Sequence, residues 1–184
     1  MVIETKTVFY QSNGFRGCSK KCFKKGIHTA PIEGSGTYYF HHNDIIMNDG
    51  NPLSNPFLVN SFGIGITGMN LLSSVLIEEN TIDMQDCDLG IFTLAGSKLF
   101  QCRSNTVNIT GSNNYAAYYN AGTPNAAFEC NTATGAAGVM GYKIDMSPQT
   151  SLICNMTQGA VSYGECRGRN SLSRSCECLS QSCK

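Results

Sequence analysis

Two carboxylates and a guanidinium recur at intervals of 25 and 26 residues along the chain, as Glu78, Arg103 and Glu129. If each interval carries the chain once round a coil, the three side chains stack on one outward column, with a glutamate on either side of Arg103. The glutamates would then stand two strand spacings apart, roughly 9–10 Å. That is the upper edge of the separation at which paired acids hydrolyse a glycosidic bond with inversion. Asp83, Asp86 and Asp88 lie nearby in sequence and add an acidic surface suited to a sugar or a cation. The favoured expectation is plainer: a solvated charge ladder that discourages misregistered stacking, since exposed ion pairs are common and contribute little.

Other reactive side chains form weaker patterns. His41 and His42 are consecutive, and consecutive strand residues point to opposite faces. The pair is therefore not expected to share a metal, and with no familiar ligand spacing around Cys18, Cys22 or the tail cysteines, neither a metal nor a cofactor is expected. Lys20-Lys21 and Lys24-Lys25 make a basic loop with one aromatic, Phe23, too little interleaving for nucleic-acid binding. Cys87, Cys102, Cys130 and Cys154 fall within apparent strands, where a cysteine behaves as a small apolar residue. Cys130 and Cys154 also share the position just before an asparagine, which puts them within reach of a disulfide, with two stacked buried thiols as the alternative. Asn108-Ile109-Thr110 and Asn155-Met156-Thr157 match the glycosylation sequon by chance.

What would position these groups is a repeat. Asn80, Asn105, Asn131 and Asn155 are separated by 25, 26 and 24 residues. Five residues before them stand Val75, Phe100, Ala126 and Thr150, and three before stand Ile77, Cys102, Phe128 and Leu152. Two residues after come Ile82, Val107, Ala133 and Thr157, and four after come Met84, Ile109, Gly135 and Gly159. Period-two alternation on both sides of the asparagine predicts a strand, a bend and a second strand. The same offsets hold around Asn43, with Tyr38, Phe40, Ile45 and Met47, and around Asn13, with Val8, Tyr10, Phe15 and Gly17. A further strand per coil is predicted at Ile64–Ile66, Leu89–Ile91, Tyr115–Ala117 and Gly141–Ile144. Asn43, Asn80, Asn105, Asn131 and Asn155 are thus expected to form a turn ladder, each at a bend in left-handed backbone, with side-chain amides bonded coil to coil.

The Asn-Thr-Ile, Asn-Thr-Val and Asn-Thr-Ala turns at this period resemble the right-handed parallel β-helix repeats of pectin-lyase-like proteins over residues 8 to about 160. The resemblance implies an all-β right-handed solenoid, of which the repeat covers about five to six coils. It is weak for function, because it embraces lyases, hydrolases, phage tailspikes and noncatalytic surface proteins. The lyase and hydrolase catalytic patterns do not map onto this chain residue by residue. A left-handed β-helix needs a shorter coil, and a Greek-key sandwich would make the asparagine columns a coincidence.

Composition agrees with an all-β, turn-dense fold. The 184 residues include 19 Gly and 17 Asn, are 41% hydrophobic and only 14% charged. Glycine is expected chiefly at turns, and the longer early spacings predict loop insertions near 18–36 and 49–61. Residues 1–164 are read as the β-helix and 165–184 as an irregular tail rich in Cys, Arg and Ser. No stretch approaches the ~20 apolar residues that span a bilayer, so no membrane insertion is expected. Ten cysteines favour an oxidising, extracytoplasmic compartment. The first residues lack the basic start and apolar run of an export signal, so the chain is expected to be a truncated piece of a secreted or cell-surface protein. The leading expectation is a noncatalytic scaffold or adhesion module that contacts polysaccharide or a cell-surface protein. The alternatives are a carbohydrate-active enzyme, lyase or hydrolase, using Glu78, Arg103 and Glu129, and a tailspike-like adhesin.

Overall fold

The computed structural model describes residues 2–5, 25–29, 37–48, 61–67, 73–94, 98–111, 114–135, 139–147, 149–159, 166–167 and 178–179. Strand β1 (Val2–Thr5) precedes a coil made of β2 (Lys25–Thr29), β3 (Thr37–His41) and β4 (Asp44–Asn48). The next coil is β5 (Phe62–Thr67), β6 (Ser74–Glu78) and β7 (Thr81–Gln85), followed by β8 (Leu89–Leu94), β9 (Leu99–Arg103) and β10 (Thr106–Thr110). Then come β11 (Ala116–Ala121), β12 (Ala126–Glu129) and β13 (Thr132–Gly135), and β14 (Met140–Asp145), β15 (Ser151–Ile153) and β16 (Met156–Gly159). Two dipeptide strands, β17 (Cys166–Arg167) and β18 (Cys178–Leu179), close the series.

Like positions in successive coils pair in parallel and build three sheets, of seven, five and six strands. This is an all-β parallel solenoid, as the spacing predicts, with three strands per coil. The three middle coils, β5 to β13, have every strand bonded on both sides, whereas β2, β4 and β16 are edges. Against an expected five to six coils, the fully sandwiched stack is thus about three, with less complete coils outside it.

The register follows the asparagine alignment. Tyr38, Val75 and Phe100 stand opposite one another, as do Phe40, Ile77 and Cys102. Their side chains point inward, as do Ile82, Met84, Val107, Ile109 and Ala133. Ile64, Ile66, Val75, Ile77 and Ile82 are wholly buried, each worth about 1.5–3 kcal/mol relative to exposure. β-Branched residues dominate here because a pleated strand already restricts χ1 to what they prefer.

The seven-stranded sheet begins at residues not expected from the sequence. The strand beside β3 is Val2–Thr5, with Ile3 opposite Tyr38, where the projected register placed Val8; the coil at Asn13 lies outside the described residues. No described asparagine ties this first strand to its neighbour, so period-two patterning alone leaves its register open. The insertion expected at 18–36 is interrupted by β2, whose Ile27 sits opposite Ile64. Of the insertion at 49–61, only Ser61 is described, and it belongs to the coil: Asp88 N donates to Ser61 Oγ at 2.9 Å and Ser61 N to Asp88 Oδ2 at 3.0 Å. The tail, expected to be irregular, contributes two residues each to two sheets, with Ile144 opposite Cys166 and Leu152 opposite Cys178.

Glycine has a second role beyond turns. A Cβ on Gly63 would lie 2.7 Å from Ile82 Cδ1, and one on Gly90 would lie 2.5 Å from the Ala117 carbonyl oxygen. Neither has positive φ. These positions are small because backbone and core side chains of neighbouring coils approach there.

The six-stranded sheet is apolar on both faces. Its outer face carries a second buried cluster of Phe62, Leu89, Phe92, Ala116 and Tyr119, which explains why β5, β8 and β11 are buried along nearly their whole length.

Candidate functional site

The tight turn between the seven- and five-stranded sheets is the most regular feature of the molecule. Asn43, Asn80, Asn105, Asn131 and Asn155 are all buried there. Each Nδ2 donates to the side-chain oxygen of the next asparagine, at 2.8 Å, 2.9 Å, 2.9 Å and 3.0 Å in order. The same oxygen accepts the backbone N–H of the preceding asparagine at 3.0 Å in every coil. The second amide hydrogen goes to carbonyls of the same or the previous coil, as from Asn105 to Arg103 and Ile77. The ladder therefore satisfies backbone groups that the bend removes from the sheets.

The left-handed residue is not the asparagine but the one before it. His42, Glu79, Ser104, Cys130 and Cys154 have φ of 53°, 55°, 55°, 52° and 53°. The physical reason is directional: left-handed backbone at that residue swings the asparagine inward, where its amide reaches both neighbours. The residue in the left-handed position is turned outward and forms its own column.

That arrangement corrects the reading of the histidines. Because His42 is left-handed, strand alternation ends at His41 and both rings lie outside the turn, with Nδ1 atoms 2.8 Å apart. His42 Nε2 is 2.5 Å from Glu79 Oε2, and Tyr39 stacks on His41 at 4.2 Å between centroids. His41 Nε2 is buried with no hydrogen-bond partner among the described residues. No group of three or more His, Cys, Asp or Glu able to hold a metal occurs among the described residues.

The outward column two residues before the ladder runs His41, Glu78, Arg103, Glu129 and Ile153, in register. Arg103 Nε is bound to Glu78 Oε2. The Glu78 side chain is only 11% exposed while that of Arg103 is 47% exposed, so the carboxylate is enclosed and the guanidinium forms its lid. The Glu78 hydrogen bond, then its charge, and more weakly Glu129 and Glu79, hold the Arg103 guanidinium more firmly protonated than usual. Glu78 and Glu129 thus flank Arg103 as the spacing predicts, but the arginine stands between them and is committed to one of them. Chemically the column is an ion-paired ridge.

The cysteines divide. Cys87 and Cys102 are buried; burial pushes the Cys102 thiol well above its usual range, partly offset by a hydrogen bond with Asn105. Cys130 is exposed and Cys154 half-buried, because both occupy the outward left-handed position rather than a strand. Both are thiols in the structure. Of the two sequons, Asn155 is taken up by the ladder, and Asn108 Nδ2 donates to Asp83 Oδ1 at 2.7 Å.

One polar cluster has no counterpart in the sequence reading. On the outer side of β11 and β14, Lys143 Nζ lies 3.7 Å from Asp145 Oδ2 and 4.9 Å from the centre of the Tyr115 ring. Burial, then the charge of Asp145 and a hydrogen bond to it, push the Tyr119 hydroxyl above its ordinary value. The signal was the i, i+4 pair of tyrosines at 115 and 119, visible only once a strand is known to bury both faces.

Fold and site together define a parallel β-solenoid closed by a buried asparagine ladder. Comparison with family models, curated proteins and solved structures finds no match to the chain.

Proposed function

We propose that this chain is a noncatalytic β-helix scaffold, an adhesion module of a secreted or cell-surface protein that presents a rigid surface to polysaccharide or to another surface protein. The observation that carries this reading is the Glu78–Arg103 pair. The one column that aligns two acids at a hydrolytic spacing has an arginine standing between them and bound to the better-enclosed carboxylate, where an inverting pair needs room for a sugar and a water. The three-sheet coil with a tight asparagine turn supports kinship with pectin-lyase-like β-helices, whose members include noncatalytic surface proteins. Ten cysteines support an extracytoplasmic location.

The test is a panel of acidic and neutral polysaccharides, scored for retention of the protein and for newly released chain ends. Retention without release is the expected result. Release that disappears in Glu78→Gln or Glu129→Gln would show a carbohydrate-active enzyme instead, and a stable trimer in solution would favour the tailspike-like reading.

A further inference from the structure

Among the left-handed outward positions, two consecutive coils carry the same reactive residue, Cys130 and Cys154. Their backbones are equivalent, with φ of 52° and 53°. The spacing of the two turns is held on both flanks, since Cys130 N donates to Ile153 O at 2.9 Å and Asn131 Nδ2 to Asn155 Oδ1 at 3.0 Å. Like positions in paired strands lie about 4.8 Å apart, inside the roughly 4.4–6.8 Å over which disulfides join Cα atoms. Parallel Cα–Cβ bonds keep the two Cβ atoms near the same distance, longer than the ~3.8 Å a disulfide prefers. A bond here draws the turns together and is easier to reduce than an unstrained one. Cys130 is exposed to a reagent. Beyond it the five-stranded sheet ends in β16, which is bonded on one side only.

We propose that Cys130 and Cys154 form a reversible disulfide staple that ties the β14–β16 coil to the coil before it, closed by exchange with a small-molecule disulfide. The Cys130 thiolate attacks the reagent, its S–S bond breaks, and one thiol leaves with a mixed disulfide on Cys130. The Cys154 thiolate then attacks the Cys130 sulfur and expels the second thiol. Two protein thiols are oxidised by two electrons, one reagent disulfide is reduced to two thiols, and the two protons pass to those products. Cys87 and Cys102 are buried in the stack and take no part. The staple is independent of what the surface binds, so it stands or falls apart from the proposed function.

The experiment treats the full chain with glutathione disulfide, blocks remaining thiols by alkylation, and maps the peptides by fragmentation. A Cys130–Cys154 crosslink is expected, lost on reduction and absent from Cys130→Ser and Cys154→Ser. Oxidation should also slow proteolysis within residues 151–159 about tenfold in the unsubstituted chain and leave the rate unchanged in Cys154→Ser. Cys130 persisting as a glutathione mixed disulfide, or bridged to a tail cysteine such as Cys166 or Cys178, would overturn the proposal. Because the crosslink is read on the unsubstituted chain, the test does not depend on either variant folding.

Discussion

Tyr118 and Tyr142 stack one coil apart, 4.8 Å between ring centres and 7° from parallel, and both hydroxyls reach back to the ladder turns. Tyr118 OH donates toward Asn105 O at 2.9 Å and Thr132 O at 3.0 Å, and Tyr142 OH to Asn131 O at 3.0 Å. The ring spacing is the coil spacing, so the aromatic stack and the amide ladder repeat together on either side of the same backbone carbonyls.

Alkali should therefore loosen the fold from the inside. Burial raises the Tyr118 hydroxyl well above its ordinary 10.0 and the Cys102 thiol above its ordinary 9.0. A group whose folded pKa is raised contributes fully below its unfolded pKa, and that contribution falls as pH climbs from the unfolded value toward the folded one. Stability is expected to decline above pH 9 and more steeply above pH 10, by up to about 1.4 kcal/mol per pH unit for each group ionised only when unfolded. Urea midpoints measured from pH 7 to pH 11 check this, and Cys102→Val should remove the part that starts at pH 9.

The two charge pairs beside the ladder turn should differ in worth. His42 and Glu79 are 66% and 55% exposed, and His42→Gln should change stability by less than about 1 kcal/mol. Arg103→Ala strands the enclosed Glu78 carboxylate and should cost about 1–3 kcal/mol. Denaturation of both variants in parallel, repeated at high salt, provides the comparison, with salt expected to erase the smaller effect first.

Gly90→Val should destabilise by about 1–3 kcal/mol or more, because its Cβ would press on the Ala117 carbonyl and on Val107. Gly111→Ala should also destabilise, for a different reason: φ there is +81°. Thermal melts distinguish them only in size, whereas hydrogen exchange should place the first defect in β8 and β11.

Much of this fold was legible because an asparagine cannot be replaced in a ladder that spends each of its amide groups on a neighbouring coil. Asn80, Asn105, Asn131 and Asn155 therefore keep time along the chain, and the inward columns beside them follow. The six-stranded sheet was harder to read. With Phe62 outward and Ile64 inward, Phe92 outward and Ile91 inward, its apolar residues break alternation, and a strand buried on both faces looks like a mere run. The histidine pair was misread because one left-handed residue reverses the face that alternation assigns. Glu78 and Arg103 were placed on the right column, but only side-chain geometry shows which carboxylate the guanidinium holds.

The ladder itself offers the most direct test. Asn105 accepts from the Asn80 backbone and side chain and donates to Asn131, Ile77 and Arg103, so Asn105→Ala leaves several buried groups unpaired. Asn48 bonds an exposed neighbour, Gln85, and Asn48→Ala is the control. Unfolding in urea should show Asn105→Ala less stable by about 2–4 kcal/mol and Asn48→Ala within about 0.5 kcal/mol of the unsubstituted chain. Equal, small shifts in both variants would contradict a solenoid held by a buried asparagine ladder.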